Sequence, residues 1–189
     1  MATATYDLLY LQASVDLLED YLLSPEIYWS LRLKPPPGSP PFPMLTLGGL
    51  YLTRVKATCR AHDQSSIYQL GKLSDQIEGA RLRWRVAWQG KATQEHHSRS
   101  MLWRDFLAEL HQNPENNINR YGYEVSRRVM LHFLSQDAYG VPSAEIELIA
   151  ALDNSLKGQF IPGDFIWEAE LGSGFPADKY WYLWGKPSI

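Results

Sequence analysis

One cysteine, Cys59, among 189 residues excludes an internal disulfide and, without a second thiol, any Cys-x-x-Cys metal or redox pair. No His or Lys stands in an evident activating arrangement beside it, so it reads as a small packed hydrophobe. Long apolar runs are missing as well. The opening MATATYDLLYLQ has no basic leader, and its apolar residues are broken by Gln12, Ser14 and Asp16. Neither a secretory signal nor a membrane span is therefore expected, and a cytoplasmic location follows as the default. Several chemical signatures are absent: no Gly-x-Ser-x-Gly elbow, no Gly-rich phosphate loop, no His-Glu-x-x-His, and no Glu-x-x-His repeated on two helices. Glu168 and Glu170 share one side of an expected strand, as catalytic carboxylates can, but any solvated strand face shows the same spacing.

Basic residues are absent from the first 30 positions, which hold five acids. Residues 31–80 carry six bases and three acids, residues 81–136 nine and five, and residues 137–189 only three bases with eight acids. Two readings fit a basic middle between acidic ends. The ends can fold against the middle and neutralise it, the preferred reading, or the middle can present a positive surface to a polyanion.

What is present is apolar and aromatic: 45% hydrophobic residues, 13% aromatic, enough for one sizeable core and a single domain over 1–189. Leu8, Leu11, Val15, Leu18 and Leu22 recur at steps of three and four and predict an amphipathic helix over 5–23. Ser24-Pro25-Glu26 has the look of a cap, a first-turn proline and a first-turn acid, predicting a short second helix to about Leu33. The proline-rich stretch 34–44 cannot be helical and reads as an extended crossover; its Lys34, Pro37 and Pro40 also fit a weak groove-docking pattern. Further helices are expected over 45–61, over 66–111 with Ser65 or Ser66 as cap, over 119–136, and from Pro142-Ser143 to Gly158. The period then changes: FIWEAEL and YWYLWG read as two short strands, an aromatic hairpin or extended tail over 159–189. The expected fold is thus a mainly α, single-domain bundle of five or six helices with that small aromatic appendage.

The segment RLRWRVAWQGKATQEHHSRSMLWRDF, 81–106, concentrates arginine, tryptophan and a histidine pair. With each residue advancing about 100° around a helix, Trp84 aligns with Leu102 and Trp88 with Phe106, so the apolar stripe resumes in phase after a polar gap. One rod, kinked at most at Gly90, is preferred over two helices joined by a loop. Arg81, Arg85 and Arg99 fall along the edge of the stripe, and Glu95 falls on it. Such arginines can stack on tryptophan while pairing with Asp16, Glu19 and Asp20 of the first helix. Alternatively Arg81, Arg83, Arg85, Lys91, Arg99, Arg104, Arg127 and Arg128 face phosphates, with tryptophan stacking bases.

His62, His96 or His97, and His132 lie on three expected helices and could converge on a divalent metal, with Glu95 or Asp63 as base; in outline this resembles three-histidine bundle enzymes. In the tail, Phe165, Trp167, Tyr180, Trp181, Tyr182 and Trp184 crowd a hairpin too small to stand alone. It should pack on its own helices, with a protein partner or a second copy on the other face, or else fold as an irregular tail into the core. The favoured expectation is a non-catalytic interaction or assembly subunit docking a partner through these aromatics. Nucleic-acid contact and metal-dependent catalysis are the alternatives.

Overall fold

A computed structural model describes residues 3–188. Helix α1 spans Ala4–Leu23, α2 Leu47–Arg60, α3 Gln64–Arg83 and α4 Arg85–Gln112. The short α5 (Pro114–Asn117) leads through a 3-10 turn into α6 (Tyr121–Glu124), then α7 (Ser126–Leu134) and α8 (Ser143–Lys157). Strands β1 (Phe160–Phe165) and β2 (Trp184–Pro187) pair antiparallel. The chain is mainly helical with a small hairpin at its C-terminal side, as the periodicities predict. Among the described residues no helix is long and apolar enough to cross a membrane.

Side-chain caps begin α1, α2 and α3: Thr3 accepts from the Tyr6 amide, Thr46 from Gly49 and Asp63 from Ser66. The third cap is thus Asp63, not the serine expected. Helix α4 joins two apolar clusters. Trp88 and Ala92 near its start pack with Tyr10, Leu11, Tyr21, Leu50 and Ile77. Trp103, Phe106 and Leu110 near its end pack with Tyr121, Val129, Leu171, Phe175 and Tyr182.

The rod is continuous through the histidines, and its break lies at Trp84, not Gly90. Trp84 has φ −108 and ψ 34, yet its amide still reaches Ala80 O and its carbonyl still accepts from Trp88 N. Arg81 before the break and Trp88 after it both donate to the Asp137 carboxylate, so one anion draws together the two turns that flank it.

Residues 25–33 are not helical. Lys91 of α4 takes the carbonyls of Ser24 and Glu26, and Tyr21 donates to Ile27 O, groups that a continuing helix would need. Trp29 instead pairs with Leu45 in an isolated antiparallel bridge that closes the proline-rich crossover into a loop. The crossover turns at Gly38, whose φ of +78 favours glycine, and lies on α1: Phe42 stacks on Tyr6 at 4.6 Å and Tyr6 donates to Pro41 O.

The hairpin is displaced from its expected boundaries. Its ladder runs Phe160↔Pro187 to Phe165↔Trp184 with an irregularity after Pro162, while much of FIWEAEL and YWYLWG forms 3-10 turns at Ala169–Gly174 and Trp181–Leu183. Beyond Phe165 the chain leaves the strand because Trp167 donates to Gly122 O while Glu168 and Glu170 reach Arg60 on α2. In β2, Gly185 has φ +135 and a Cβ there would sit 2.2 Å from Ile161 O, so a side chain cannot be accommodated.

Candidate binding cleft

The middle of α4 buries polar residues where a core helix normally carries apolar ones. Lys91, Glu95, His96, Arg99 and Ser100 are all at most 7% exposed, between the two apolar clusters. Charges so placed need partners. Glu95 accepts the Gly48 amide on both oxygens (3.2 and 3.0 Å) and Arg99 Nε at 2.6 Å. It thereby places a negative charge at the amino end of α2, where the helix dipole favours one. Gly48 is required by this contact, because a Cβ there would lie 2.7 Å from Glu95 Oε1 and 2.9 Å from Met130 Cβ. Arg99 continues to Thr46 Oγ1 at 2.9 Å and lies over the Tyr28 ring. Burial holds the Lys91 ammonium below its ordinary pKa.

Arg99 opens onto a cleft of about 570 Å³ bounded by the start of α1, the proline-rich crossover, α2, the α6–α7 region and Trp167. Its walls are Tyr6, Tyr10, Tyr28, Tyr123 and Trp167 with Pro40, Pro41, Pro43, Met44, Leu52 and Met130; its charged groups are Asp7, Lys56, Arg60, Arg99, Arg127 and Glu168. Most of these charges are already spent. Arg60 is buried against Asp7 at 2.7 Å and reaches Glu170 at 2.6 Å and Glu168 at 3.5 Å. Arg127 pairs with Glu124 at 2.7 Å and donates to Leu102 O. Burial raises the Asp7 pKa even against the pull of Arg60.

Lys56 differs. Its Nζ lies 4.8 Å from the centre of the Trp167 ring, and among the described residues it makes no ion pair or hydrogen bond. Burial lowers its pKa, and the fields of Glu168 and Asp7 only partly oppose this. An incompletely satisfied ammonium on an aromatic face, beside apolar walls, suits a carboxylate carried on an apolar or extended ligand.

The central cations are dispersed. Lys91 and Arg99 are buried. Arg81 is bound to Asp137 and Glu78, Arg128 to Asp153, Arg127 to Glu124 and Arg104 to Asp105. Only Arg83, stacked on Trp84 at 5.4 Å, and Arg85 are exposed without an ion pair among the described residues. Internal neutralisation is therefore extensive, but of these eight cations only Arg81 and Arg128 pair with acids from the ends of the chain, and those acids differ from the ones expected. Asp16, Glu19 and Asp20 remain exposed; Asp7, Asp137, Asp153, Glu168 and Glu170 pair from the two ends, while Glu78, Glu95, Asp105 and Glu124 pair from within the middle itself.

The histidines do not converge. His96 and His97 both hydrogen-bond Glu145 in the first turn of α8, and these bonds outweigh burial in holding that carboxyl below its ordinary pKa. His132 packs edge-on against Tyr180 at 5.1 Å, its pKa lowered by burial, Arg128 and Lys179. His62 is exposed beyond the end of α2. Among the described residues no three His, Cys, Asp or Glu side chains are grouped to hold a metal ion. The six tail aromatics pack largely on one another: Tyr180 and Tyr182 are buried, and Phe165, Trp167, Trp181 and Trp184 are half-buried at the margin of the same cluster. Trp184 donates to Phe175 O.

Asp7, Lys56, Arg60 and the cleft tyrosines were not singled out from sequence. A local signal existed in Lys56 and Arg60, one turn apart on α2, and in Asp7 among the apolar residues of α1. No protein-family model, curated protein or solved structure matches the chain.

Proposed function

We propose that this chain is a non-catalytic docking subunit and that an extended segment of a partner protein lies in the cleft, with Trp167 of the aromatic C-terminal region as one wall. The observation that carries the reading is Lys56, unpaired on the Trp167 face amid tyrosine, proline and methionine, while the other charges around it are engaged internally. Aromatic and apolar walls supply contact area, and a half-buried cation supplies selection for an acidic residue on the partner. Nucleic-acid contact has less support because six of the eight central cations are buried or paired. Metal-dependent catalysis has less because its three histidines stand apart.

Selection of displayed random peptides on the immobilised chain is the direct test. Enriched sequences should combine an acid with apolar or proline residues and lose binding to Lys56→Met. Enrichment of nothing, or of peptides indifferent to that change, overturns the reading. So does oligonucleotide binding that falls steeply with salt and survives Lys56→Met.

The same substitution should stabilise the fold. Methionine keeps most of the stem and removes a poorly solvated charge, a gain of about 0.5–1 kcal/mol at neutral pH. Because the folded-state pKa of Lys56 is lowered, the penalty is complete at pH below that value and vanishes as pH rises through the unfolded value of about 10.4. The stability difference between variant and wild type in urea should therefore shrink at alkaline pH. A variant that is less stable and still binds the selected peptides would show Lys56 to be structural.

A further inference from the structure

The outward face of α3 and the start of α4 carries features that the monomer does not explain. At about 100° per residue, Tyr68, Lys72, Asp75, Gln76, Gly79, Leu82, Arg83, Val86 and Gly90 share one side of the rod within about 60° of Gly79, and all nine are exposed on both sides of the Trp84 break. Tyr68, Leu82 and Val86 are 76%, 75% and 83% exposed, high for large apolar side chains on a face opposite the buried Leu70, Leu73, Ile77 and Trp88. Gly79 and Gly90 are interior helical positions, where glycine weakens a helix, and a Cβ at either would meet nothing within 4 Å. Among the described residues nothing requires them to be small.

The face is complementary to itself in one register. If two copies lie antiparallel about a two-fold axis at Gly79, residue 79+n faces residue 79−n of the other copy. Asp75 then opposes Arg83 twice, Gln76 opposes Leu82, the Lys72 stem covers Val86, Tyr68 covers the gap at Gly90, and the two Gly79 positions meet where the backbones cross. Neither Asp75 nor Arg83 has an ion pair within the chain among the described residues. We infer that this face pairs with the same face of a second copy, forming a symmetric antiparallel dimer centred on Gly79. The contact is isologous, so it closes at two subunits. One helix pair over about 33 Å lies toward the small end of specific interfaces, so dissociation in the range of about 1–100 µM is expected. The dimer leaves the cleft uninvolved and is independent of the docking reading.

Sedimentation equilibrium of the whole chain at rising concentration tests this, with the helical signal in circular dichroism as a folding control. The wild type should dimerise. Asp75→Arg and Arg83→Asp should each weaken the dimer by about tenfold or more, since each turns two attractions into two repulsions. The double variant should recover most of the wild-type affinity, and Gly79→Leu should abolish association. All these positions face solvent, so helical content should not change. A wild type that stays monomeric overturns the proposal. A dimer indifferent to Gly79→Leu places the interface elsewhere and also overturns it. Failure of the double variant to recover shows that Asp75 and Arg83 do not face each other, which overturns the register and with it the self-pairing.

Discussion

Glu95→Ala is expected to cost about 3–5 kcal/mol, the range for breaking a buried pair by removing one partner. Glu95 is fully buried and holds two things at once, the Arg99 guanidinium and the Gly48 amide at the start of α2. Its loss strands a nearly buried cation and leaves a helix-terminal amide without an acceptor. The cleft should suffer as well, because Arg99 is steered toward Thr46 and Tyr28 by that carboxylate. Replacing both partners by apolar residues, Glu95→Leu with Arg99→Met, should cost less than Glu95→Ala alone, since no charge is then left behind. Urea midpoints at unchanged m-value measure both quantities. A single substitution costing under about 1 kcal/mol would mean that water reaches Arg99 once Glu95 is gone, and that the seam is not the rigid floor of the cleft.

How much of this was visible in the sequence depends on how far each determinant lies along the chain. Trp88 and Phe106, eighteen residues apart, are both buried on α4 because five turns restore the phase; that regularity is local and was legible. The residue class of the histidine pair was visible, but its role was set by Glu145, about fifty positions away. The absence of a helix after Ser24 was not legible, because Lys91, more than sixty residues downstream, takes the carbonyls that it would use. Strand boundaries slipped for a similar reason: alternation in FIWEAEL was real, but Arg60 of α2 captures Glu168 and Glu170 and turns the chain aside. The cleft combines residues from the beginning, middle and end of the chain, so no window of sequence contains it.

Asp137→Asn is the second substitution with a large expected effect, about 2–3 kcal/mol at neutral pH. The carboxylate accepts from Tyr51 and from Trp88 Nε1 on one oxygen and from Arg81 on the other. An amide in its place offers a single acceptor. Whichever way it turns, its NH2 faces either the guanidinium or the indole N–H, so one donor confronts another in a buried site. Arg81 itself is 39% exposed and can return to water, which keeps the cost below that of a stranded buried charge. Burial alone would raise the Asp137 pKa, but the bonds from Tyr51, Arg81 and Trp88 outweigh it and the pKa is lowered. Its contribution is therefore present above the unfolded carboxyl value of about 3.9 and lost as pH falls through the folded value. The stability gap between wild type and Asp137→Asn should be widest near neutrality and narrow progressively below about pH 4. Glu145, also lowered and present in both proteins, leaves each with some acid sensitivity of its own. Since the same carboxylate ties Arg81 to Trp88 across the Trp84 break, the variant should also loosen the rod there, with faster amide exchange over 82–88 than over the middle of α4. A pH-independent gap, or exchange unchanged at the break, would mean that core packing around Trp88 sets the bend and that Asp137 merely follows it.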